Sequence, residues 1–527
     1  MIIFVFAYLV VAIIWGPSSQ TIKFTNNNTP QPTNIPTTPQ PTTLNPTTSP
    51  TTSQPSISPT TSKPTTSPII VPEIINATIA RHAFMNVTVY TDSVTVDSYS
   101  KYNGTGTNEF LYDTMYINNP GYYWVGYTAK LDPTSVHNPI GMFLNTSAAY
   151  VSNKVTGTQY GSGATYFFTG VGVSFTGSKI LQLTNEIALS YMYIGQEAST
   201  EGIFDGSFIS YKLTETPLAS LQVEATGASF VVLASLDNTF MDFPANAFQN
   251  PKMTDTYLTF NSTGNSEFRT SLSGFYFVGY TWGFSNIAVA PNNFGLGMKY
   301  CNNTNSCSYY GTTQLSNWYS QNIIRYDGAA IVYMNADIST VQLTASCSSA
   351  YHCDSDTSSQ NSMSFFEIIQ LPFIKDFIEI YVNDFTVSTA QSIGLNLNSN
   401  ITRLVGSNTF AITSNGYVHV LKPNYYFLYF QITYPSSELT SDEEIRYVKI
   451  QKFGGPAIYA GGPKNTVFTV GYDTTLNTRD HFNASVIISG SYVTYVDEDY
   501  YLSAYTFVGP GVQIENVTVT FQIANFA

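Results

Sequence analysis

The chain has 527 residues, of which 10% are charged, and its formal net charge is −14. Typical soluble domains carry about 25% charged residues, so Ser, Thr and Asn must cover much of the solvated surface. No basic surface is available to neutralise phosphates, which excludes nucleic acid as a partner. This balance suits an extracellular surface that carries sugars.

The first 19 residues are predicted to be a secretory signal peptide. An apolar run from Ile2 to Trp15 is followed by small and polar residues at 16–19, the pattern of a hydrophobic region and its cleavage site. The alternative is an uncleaved membrane anchor, but the run is shorter than the roughly 20 apolar residues that cross a bilayer. We therefore expect a secreted or cell-surface protein without a membrane span.

Residues 20–68 are predicted to be a disordered stalk rich in Thr, Pro and Ser. Eleven prolines between residues 30 and 68 break any helix or sheet, and too few apolar residues remain to bury a core. The composition resembles a mucin-like stalk, and a passive linker is the simpler reading. Its candidate O-glycosylation sites are Thr37, Thr38, Thr42, Thr43, Thr47, Thr48, Thr51, Thr52, Thr60, Thr61, Thr65 and Thr66.

Ten Asn-x-Ser/Thr triplets are candidate N-glycosylation sites. An Asn- and Thr-rich chain produces several such triplets by chance, and those inside strands are usable only where the side chain faces solvent. The ten are Asn27, Asn76, Asn86, Asn103, Asn145, Asn261, Asn302, Asn400, Asn483 and Asn516.

A short aromatic phrase occurs three times after the stalk. It occupies residues Gly121–Tyr127, Gly274–Tyr280 and Asn424–Phe430, with starts 153 and 150 residues apart. Aromatic and β-branched residues bounded by Gly, Asn and Pro favour strands. The regular spacing, close to the length of one domain, predicts three copies of one domain.

The rest of the chain predicts antiparallel sandwiches, because strand-like runs are broken every 8–12 residues by turn residues. Predicted strands include Asn86–Val96, Phe110–Ile117, Ile180–Tyr193 and Val467–Tyr472. Comparable aromatic strands are predicted to end the three repeats, at Phe204–Leu213, Ser364–Leu371 and Val517–Ile523. We therefore predict an all-β protein with domains at 69–215, 216–374 and 375–527, held close together by short linkers.

The four cysteines all lie in the second predicted domain, as Cys301, Cys307, Cys347 and Cys353. An even number in a secreted chain predicts disulfides. Local pairing would close two loop tips, and crossed pairing would link the two loops. A zinc site is the alternative, since His352 adjoins Cys353, but the spacing differs from that of short zinc knuckles.

The first repeat resembles the superfamily of complement heads and tumour-necrosis factors. That family has a similar Pro-Gly-x-Tyr-Tyr-Phe strand, here Pro120–Trp124, and ends on an aromatic strand similar to Phe204–Tyr211. Residues Gly177–Leu183 resemble the family's Gly-Asp-x-Val-x-Leu turn and strand. The resemblance implies ten-stranded jelly rolls with adjacent termini, usually packed as trimers. We carry over no functional residue, and no collagen-like stretch precedes the domains.

No catalytic constellation or cofactor site is evident, so we expect a protein that is not an enzyme. Five histidines are scattered along the chain, and His419 reads as an ordinary strand residue between Val418 and Val420. Two acidic clusters, 354–356 and 497–499, lack a complete calcium ligand set, and 442–444 reads as a solvated loop. We expect no metal site.

The phrase at Tyr122–Tyr127 is aromatic on both faces of its strand, so one face must pack beyond its own sandwich. We therefore predict self-association, and a structural or adhesive function for three tandem jelly-roll-like domains. They could close into a pseudo-trimer or form a fibre in which Thr21–Thr25 completes a neighbour's sheet. The alternatives are a carbohydrate-binding adhesin acting through loop tips and, less favoured, a glycoside hydrolase, which needs a carboxylate pair.

Overall fold

The computed structural model describes most of the chain after the predicted stalk. The described residues are 77–89, 101–104, 109–111, 114–117, 119–133, 140–147, 158–160, 173–183, 188–195, 200–214, 216, 218–226, 229–232, 240–261, 266–285, 293–303, 306–316, 323–347, 351–355, 364–388, 392–393, 401–406, 409–413, 417–435, 446–454, 464–472, 486–496, 500–507 and 513–526. The predicted signal peptide and stalk lie outside them.

Within these residues the chain forms 34 strands and one short 3-10 helix at Ala245–Ala247, so the all-β prediction is confirmed. We divide the strands into three successive groups. The N-terminal group contains β1 (Ala77–Val89), β2 (Lys101–Gly104), β3 (Glu109–Leu111), β4 (Thr114–Tyr116), β5 (Gly121–Pro133), β6 (Ile140–Ser147), β7 (Thr158–Tyr160), β8 (Val173–Leu183), β9 (Ala188–Gly195) and β10 (Thr200–Thr214).

The middle group contains β11 (Ser220–Ala225), β12 (Ser229–Val232), β13 (Met241–Asp242), β14 (Phe248–Met253), β15 (Leu258–Asn261), β16 (Glu267–Thr270), β17 (Gly274–Ser285), β18 (Asn293–Asn303), β19 (Ser306–Ser316), β20 (Ile323–Met334), β21 (Thr340–Cys347), β22 (Tyr351–Ser355) and β23 (Phe365–Gln370). The C-terminal group contains β24 (Ile374–Ser388), β25 (Ser392–Ile393), β26 (Ile401–Val405), β27 (Phe410–Ile412), β28 (Val418–Val420), β29 (Asn424–Tyr434), β30 (Arg446–Gly454), β31 (Lys464–Tyr472), β32 (Val486–Val496), β33 (Tyr500–Phe507) and β34 (Gln513–Phe526).

One pairing order occurs in all three groups, and every described pair is antiparallel. The sheet that holds the aromatic phrase has the order β2-β1-β10-β5-β8 in the N-terminal group, β14-β11-β23-β17-β20 in the middle group and β26-β24-β34-β29-β32 in the C-terminal group. The facing sheets have the orders β3-β4-β9-β6-β7, β15-β16-β21-β18-β19 and β27-β28-β33-β30-β31. Two antiparallel sheets in which the first strand pairs with the last define a double-sheet jelly roll.

Hydrogen bonding between strands crosses from one group to another. At one edge of its sheet β8 pairs with β31, through Ser174 opposite Gly471 and Val173 opposite Tyr472. At another edge β19 meets β32, with Gln314 opposite Ile487. Two of the sheets therefore contain strands from two groups, so the groups are joined more directly than by their short linkers.

The second aromatic ring of each phrase points into the sandwich of its own group. The Tyr276 hydroxyl donates to the Leu272 carbonyl at 2.7 Å and lies 2.7 Å from the Thr270 hydroxyl on the facing sheet. Tyr123 and Tyr426 likewise donate to the carbonyl four residues earlier in the chain. All three rings are buried. This repeated tyrosine anchors the start of each phrase strand.

Several predicted strand limits differ from the structure. The predicted strand Phe110–Ile117 is two strands, β3 and β4, and Ile180–Tyr193 spans the end of β8 and most of β9. Gly177 lies inside β8, opposite Tyr127, so the resemblance to a turn at that residue is wrong. A period-two pattern survives a chain reversal, which is why it did not reveal these breaks. The domain limits at 215/216 and 374/375 stay predictions.

Candidate functional site

The third aromatic ring of each phrase meets its counterparts in the other two groups. Trp124 of β5 lies with its ring centroid 5.3 Å from Phe277 of β17 and 4.8 Å from Phe427 of β29. All three side chains are fully buried. Residues at odd and even positions of a strand face opposite sides of the sheet. We call these three residues the central aromatic cluster, and it is where the outer faces of the three phrase strands converge.

The first ring of a phrase makes a second set of contacts between groups. Tyr425 lies 4.7 Å from Tyr211 on β10, which joins the C-terminal and N-terminal groups. Phe275 lies 5.0 Å from Phe377 on β24, which joins the middle and C-terminal groups. Burial raises the pKa of the Tyr211 phenol well above its ordinary value. Aromatic pairs of this kind add about 0.5–1.5 kcal/mol to the stabilisation from buried area.

The contact between the N-terminal and middle groups contains a buried ion pair. The Lys179 ammonium on β8 lies 2.5 Å from the Asp327 carboxylate on β20, and both side chains are 1% exposed. Lys179 also donates to the Tyr280 carbonyl at 2.6 Å, and the Thr281 hydroxyl donates to Asp327 at 2.8 Å. A buried ion pair that loses one partner leaves an uncompensated charge, so each of the two residues depends on the other.

A third ionisable side chain lies beside this pair. Glu367 on β23 is buried, and among the described residues its Oε1 atom has no hydrogen-bond partner. Burial raises the pKa of the Glu367 carboxyl to about 8; Lys179 opposes this shift and Asp327 adds to it. The carboxyl is therefore mostly protonated at neutral pH, since loss of solvation disfavours the charged form.

The contact between the middle and C-terminal groups is a network centred on neutral side chains. The Gly311 amide on β19 donates to the Tyr429 hydroxyl at 2.7 Å, and that hydroxyl donates to Gln431 at 2.8 Å. Gly311 has φ +57, and an added Cβ would lie 2.7 Å from the Met298 methyl carbon. The positive φ favours glycine here, and the Ala329 amide nitrogen, 3.2 Å from the added Cβ, leaves little room for a side chain.

A second part of that network involves β34. The Ile331 amide donates to Gln522 Oε1 at 3.2 Å, and Gln522 Nε2 donates to Glu379 at 2.6 Å. The Tyr310 hydroxyl donates to the same carboxylate at 3.0 Å. Burial raises the pKa of Tyr310 well above its ordinary value, and the Glu379 charge adds to the shift. Tyr310 therefore stays a hydrogen-bond donor.

The contact between the N-terminal and C-terminal groups uses hydroxyl groups. The Thr176 hydroxyl on β8 donates to the Ser491 carbonyl on β32 at 3.0 Å, and the Ser178 and Ser491 hydroxyls lie 2.7 Å apart. Small side chains at these positions let β8 and β32 approach closely. The three contacts surround one aromatic cluster but differ in chemistry.

The structure contains one of the predicted disulfides. Cys301 and Cys307 are bonded and lie directly opposite each other on the β18–β19 hairpin. Cys347 ends β21, opposite Phe294, and Cys353 lies in β22, opposite Phe230. The side chains of this second pair lie outside the described part of the chain, so its pairing stays a prediction.

Three of the ten candidate N-glycosylation sites have described side chains, and all three are exposed, namely Asn261, Asn302 and Asn516. The backbones of three further sites lie in β1, β2 and β6, namely Asn86, Asn103 and Asn145. Outside the described residues lie Asn27, Asn76, Asn400, Asn483 and the twelve stalk threonines. Exposure is what attachment of a bulky glycan requires.

Of the five histidines and the three acidic clusters considered above, only His419 has a described side chain. His419 is half-buried between buried valines and stacks on Tyr501 at 4.4 Å, as expected of a strand residue. Within the described ranges no three His, Cys, Asp or Glu residues are arranged to hold a metal. The acidic residues 442–444 and 497–499 lie outside these ranges, as does Asp356.

Sequence reasoning missed the charged residues of the contact between the N-terminal and middle groups. Lys179, Asp327 and Glu367 each lie in a strand with several buried apolar residues. In a chain with only 10% charged residues, a charge within such a strand is a signal of a paired buried group, because unpaired burial is expensive. The partners could not be inferred, since Lys179 and Asp327 are far apart in the chain.

No protein-family model and no curated protein sequence matches the chain. Three solved structures are similar over parts of it. Murine APRIL aligns with 29% of this chain and 100% of its own, at 12% identity and a TM-score of 0.22. The globular domain of zebrafish complement 1qA aligns with 29% of this chain and 98% of its own, at 15% identity and a TM-score of 0.21.

An archaeal virus protein with a triple jelly-roll fold aligns with 85% of this chain and 91% of its own, at 9% identity and a TM-score of 0.16. The strand order defines the fold of this chain independently of these similarities. No helix among the described residues is long and apolar enough to cross a membrane.

Proposed function

We propose that this chain is a secreted, glycosylated structural or adhesive protein whose three tandem jelly-roll domains close into a pseudo-trimer within one molecule. The observation that carries the proposal is the central aromatic cluster, which takes one equivalent ring from each strand group. In a fibre, these rings would instead pack against rings of other chains. Here the cluster is already complete within one chain, so the faces that a separate subunit would need are occupied.

The common strand order supports the tandem arrangement. Each group pairs its first strand with its last and its last with the phrase strand, and the same two sheets result each time. Short connections, such as residues 215–219 between β10 and β11, keep successive domains close together. The predicted stalk would then hold the closed assembly away from its attachment point.

Light scattering coupled to size-exclusion chromatography tests the closed assembly, with the full chain secreted from eukaryotic cells. We expect a compact species with the mass of one glycosylated chain at every concentration. Polymers whose mass grows with concentration would contradict it and favour the fibre.

Sequencing the N-terminus of the secreted protein tests the signal peptide, for which we expect cleavage near residues 16–20.

Carbohydrate binding through loop tips is the second candidate function. Tyr257 and Leu272 are half-exposed on neighbouring segments, because the Ser271 amide donates to the Tyr257 carbonyl at 2.9 Å. Exposed rings and apolar side chains on rigid loops provide surfaces on which sugars stack. A glycan array with the folded, secreted protein tests this function, and a Tyr257→Ala variant is the matched control. Absence of binding to any glycan would count against it.

A further inference from the structure

We propose that Asn302 carries an N-linked glycan whose first sugars cover the turn at residues 335–339 and shield the exposed side chain of Ile338. This inference rests on the proposed secretion, because the glycan is added in the secretory pathway. It goes further by assigning one modification site and the surface that the sugar occupies.

Asn302 lies next to the Cys301–Cys307 disulfide, near the end of β18. It follows Cys301 on β18, is exposed, and begins the triplet Asn302-Asn303-Thr304. Tyr300, two residues earlier, faces the same side of the strand, and its hydroxyl donates to the Tyr333 carbonyl at 2.5 Å. The end of β18 is thus anchored to β20, while Asn302 and Asn303 are exposed to solvent.

The side-chain oxygen of Asn302 is held by the neighbouring turn. Asn335 Nδ2 donates to Asn302 Oδ1 at 2.6 Å, and the Ser339 hydroxyl donates to the same oxygen at 3.3 Å. Among the described residues none accepts a hydrogen bond from Asn302 Nδ2. The oxygen is therefore fixed towards the turn, and the nitrogen that a glycan would occupy remains available.

The same turn exposes a large apolar side chain. Ile338 is 57% exposed, and its amide donates to the Asn335 carbonyl at 3.2 Å. The turn is rigid, since the Asp337 amide donates to the Thr270 carbonyl at 2.7 Å and Asn335 N donates to Ser339 at 2.9 Å. An apolar side chain on a rigid turn gains from being covered.

A glycan on Asn302 is the occupant that this geometry favours. Asn302 is hydrogen-bonded to both ends of the turn, so the first sugar begins beside Ile338 and its local concentration there is high. A separate protein partner would have to bind without that tether. The apolar face of a sugar ring can cover the isoleucine, while its hydroxyls remain in water.

The covalent step uses a lipid-linked oligosaccharide pyrophosphate as the donor. A bond forms between Asn302 Nδ2 and the first sugar's anomeric carbon, and the bond from that carbon to the pyrophosphate oxygen breaks. The amide nitrogen loses one proton, and the lipid pyrophosphate leaves with the electron pair. Oδ1 keeps its lone pairs and can still accept from Asn335 and Ser339.

Glycopeptide mass spectrometry of the full chain secreted from eukaryotic cells tests the site. Thr304→Ala removes the acceptor triplet but leaves Asn302 and its hydrogen bonds, and Thr304→Ser keeps the triplet. We expect Asn302 to be occupied in the parent and in Thr304→Ser, and one glycan to be lost in Thr304→Ala. Asn261 and Asn516 report on glycosylation in general. If they are occupied and Asn302 is bare, the inference is wrong while the proposed glycoprotein stands.

Occupancy of none of the ten sites would overturn both the glycoprotein proposal and this inference. The shield is tested separately by binding of anilinonaphthalene sulfonate, a dye for exposed apolar surface. We expect Thr304→Ala to bind more dye than Thr304→Ser, and the double variant Thr304→Ala, Ile338→Ser to return to the parent level. If Asn302 is occupied in Thr304→Ser but Thr304→Ala binds the same amount of dye, the sugar does not cover Ile338.

Discussion

The two contacts that the middle group makes with its neighbours occupy matching positions but use opposite chemistry. Glu367 on β23 lies opposite Gly279, and Gln522 on β34 lies opposite Tyr429, each at the sixth residue of its phrase. Around Glu367 the contact depends on the buried ion pair of Lys179 with Asp327. Around Gln522 it depends on hydrogen bonds from amide and phenol groups, two of which the Glu379 carboxylate accepts.

Because of this difference, each of the two surfaces of the middle group is suited to only one of its neighbours. Lys179 replaced by a neutral residue would leave Asp327 without its counter-ion, and a negative charge in place of Gln522, opposite Tyr429, would lie beside the Glu379 carboxylate. Buried polar groups of this kind can specify which surfaces pair, besides any stability they add. We infer that these unlike contacts keep the three strand groups in one order around the central aromatic cluster.

The largest expected effect is a pH dependence of the free energy of unfolding, which only the contact around Glu367 should show. The folded state raises the pKa of Glu367 from 4.5 to about 8, so the folded chain keeps a proton that the unfolded chain loses. The stabilisation is complete below pH 4.5 and is lost as pH rises to about 8, a loss on the order of 5 kcal/mol.

Urea unfolding at several pH values measures this slope. Glu367→Gln should abolish it, because the amide does not titrate. Glu224→Gln, at a partly exposed residue paired with Lys252, is the matched control and should keep it. A slope that persists in Glu367→Gln would show that another group is responsible.

Trp124→Ala removes the ring that contacts both Phe277 of the middle group and Phe427 of the C-terminal group. We expect the free energy of unfolding to fall by about 4 kcal/mol, the usual effect of deleting a buried Trp side chain. Trp282→Ala is the control, since Trp282 packs on Phe243 and Phe248 inside the middle group. In limited proteolysis, cleavage at residues 215–219 should be faster in the Trp124→Ala variant than in the Trp282→Ala variant. Equal cutting rates would mean that the central aromatic cluster does not hold the groups together.

Lys179→Met tests the charged contact by itself. Asp327 then remains buried without its counter-ion, which we expect to reduce the free energy of unfolding by about 3 kcal/mol. The double variant Lys179→Met, Asp327→Leu should recover most of that loss in denaturant unfolding. No recovery would show that the lysine acts through packing of its methylene groups.

Tyr429→Phe tests the neutral contact and should have the smallest effect. The Gly311 amide loses its acceptor, and Gln431 loses its donor, at a cost of about 2 kcal/mol. The loss should be independent of pH between 5 and 8, in contrast to the charged contact. Tyr276→Phe, which removes a hydrogen bond within the middle group, is the control, and only Tyr429→Phe should speed cleavage between the groups.

Strand content and the position of the phrase strands could be predicted from local pattern. Val467–Tyr472 lies in β31. Of the three terminal aromatic strands, Phe204–Leu213 lies in β10 and Val517–Ile523 in β34, while Ser364–Leu371 extends one residue beyond β23 at each end. The two-sided aromatic phrase also predicted contact beyond each sandwich, which Trp124, Phe277 and Phe427 confirm. Chain reversals such as the one between β3 and β4 were missed, because alternation continues on both sides of a turn.

The amino-acid sequence alone determined the all-β class, the threefold recurrence of the phrase and the pairing of Cys301 with Cys307 as one of its alternatives. These follow from side-chain periodicity and short-range spacing. Only the tertiary structure decided which rings meet, which strand of one group pairs with another, and that Lys179 pairs with Asp327 while Glu367 Oε1 has no hydrogen-bond partner among the described residues. Those facts depend on residues more than a hundred positions apart, and a period-two pattern carries no information about the distant strand that covers its outer face.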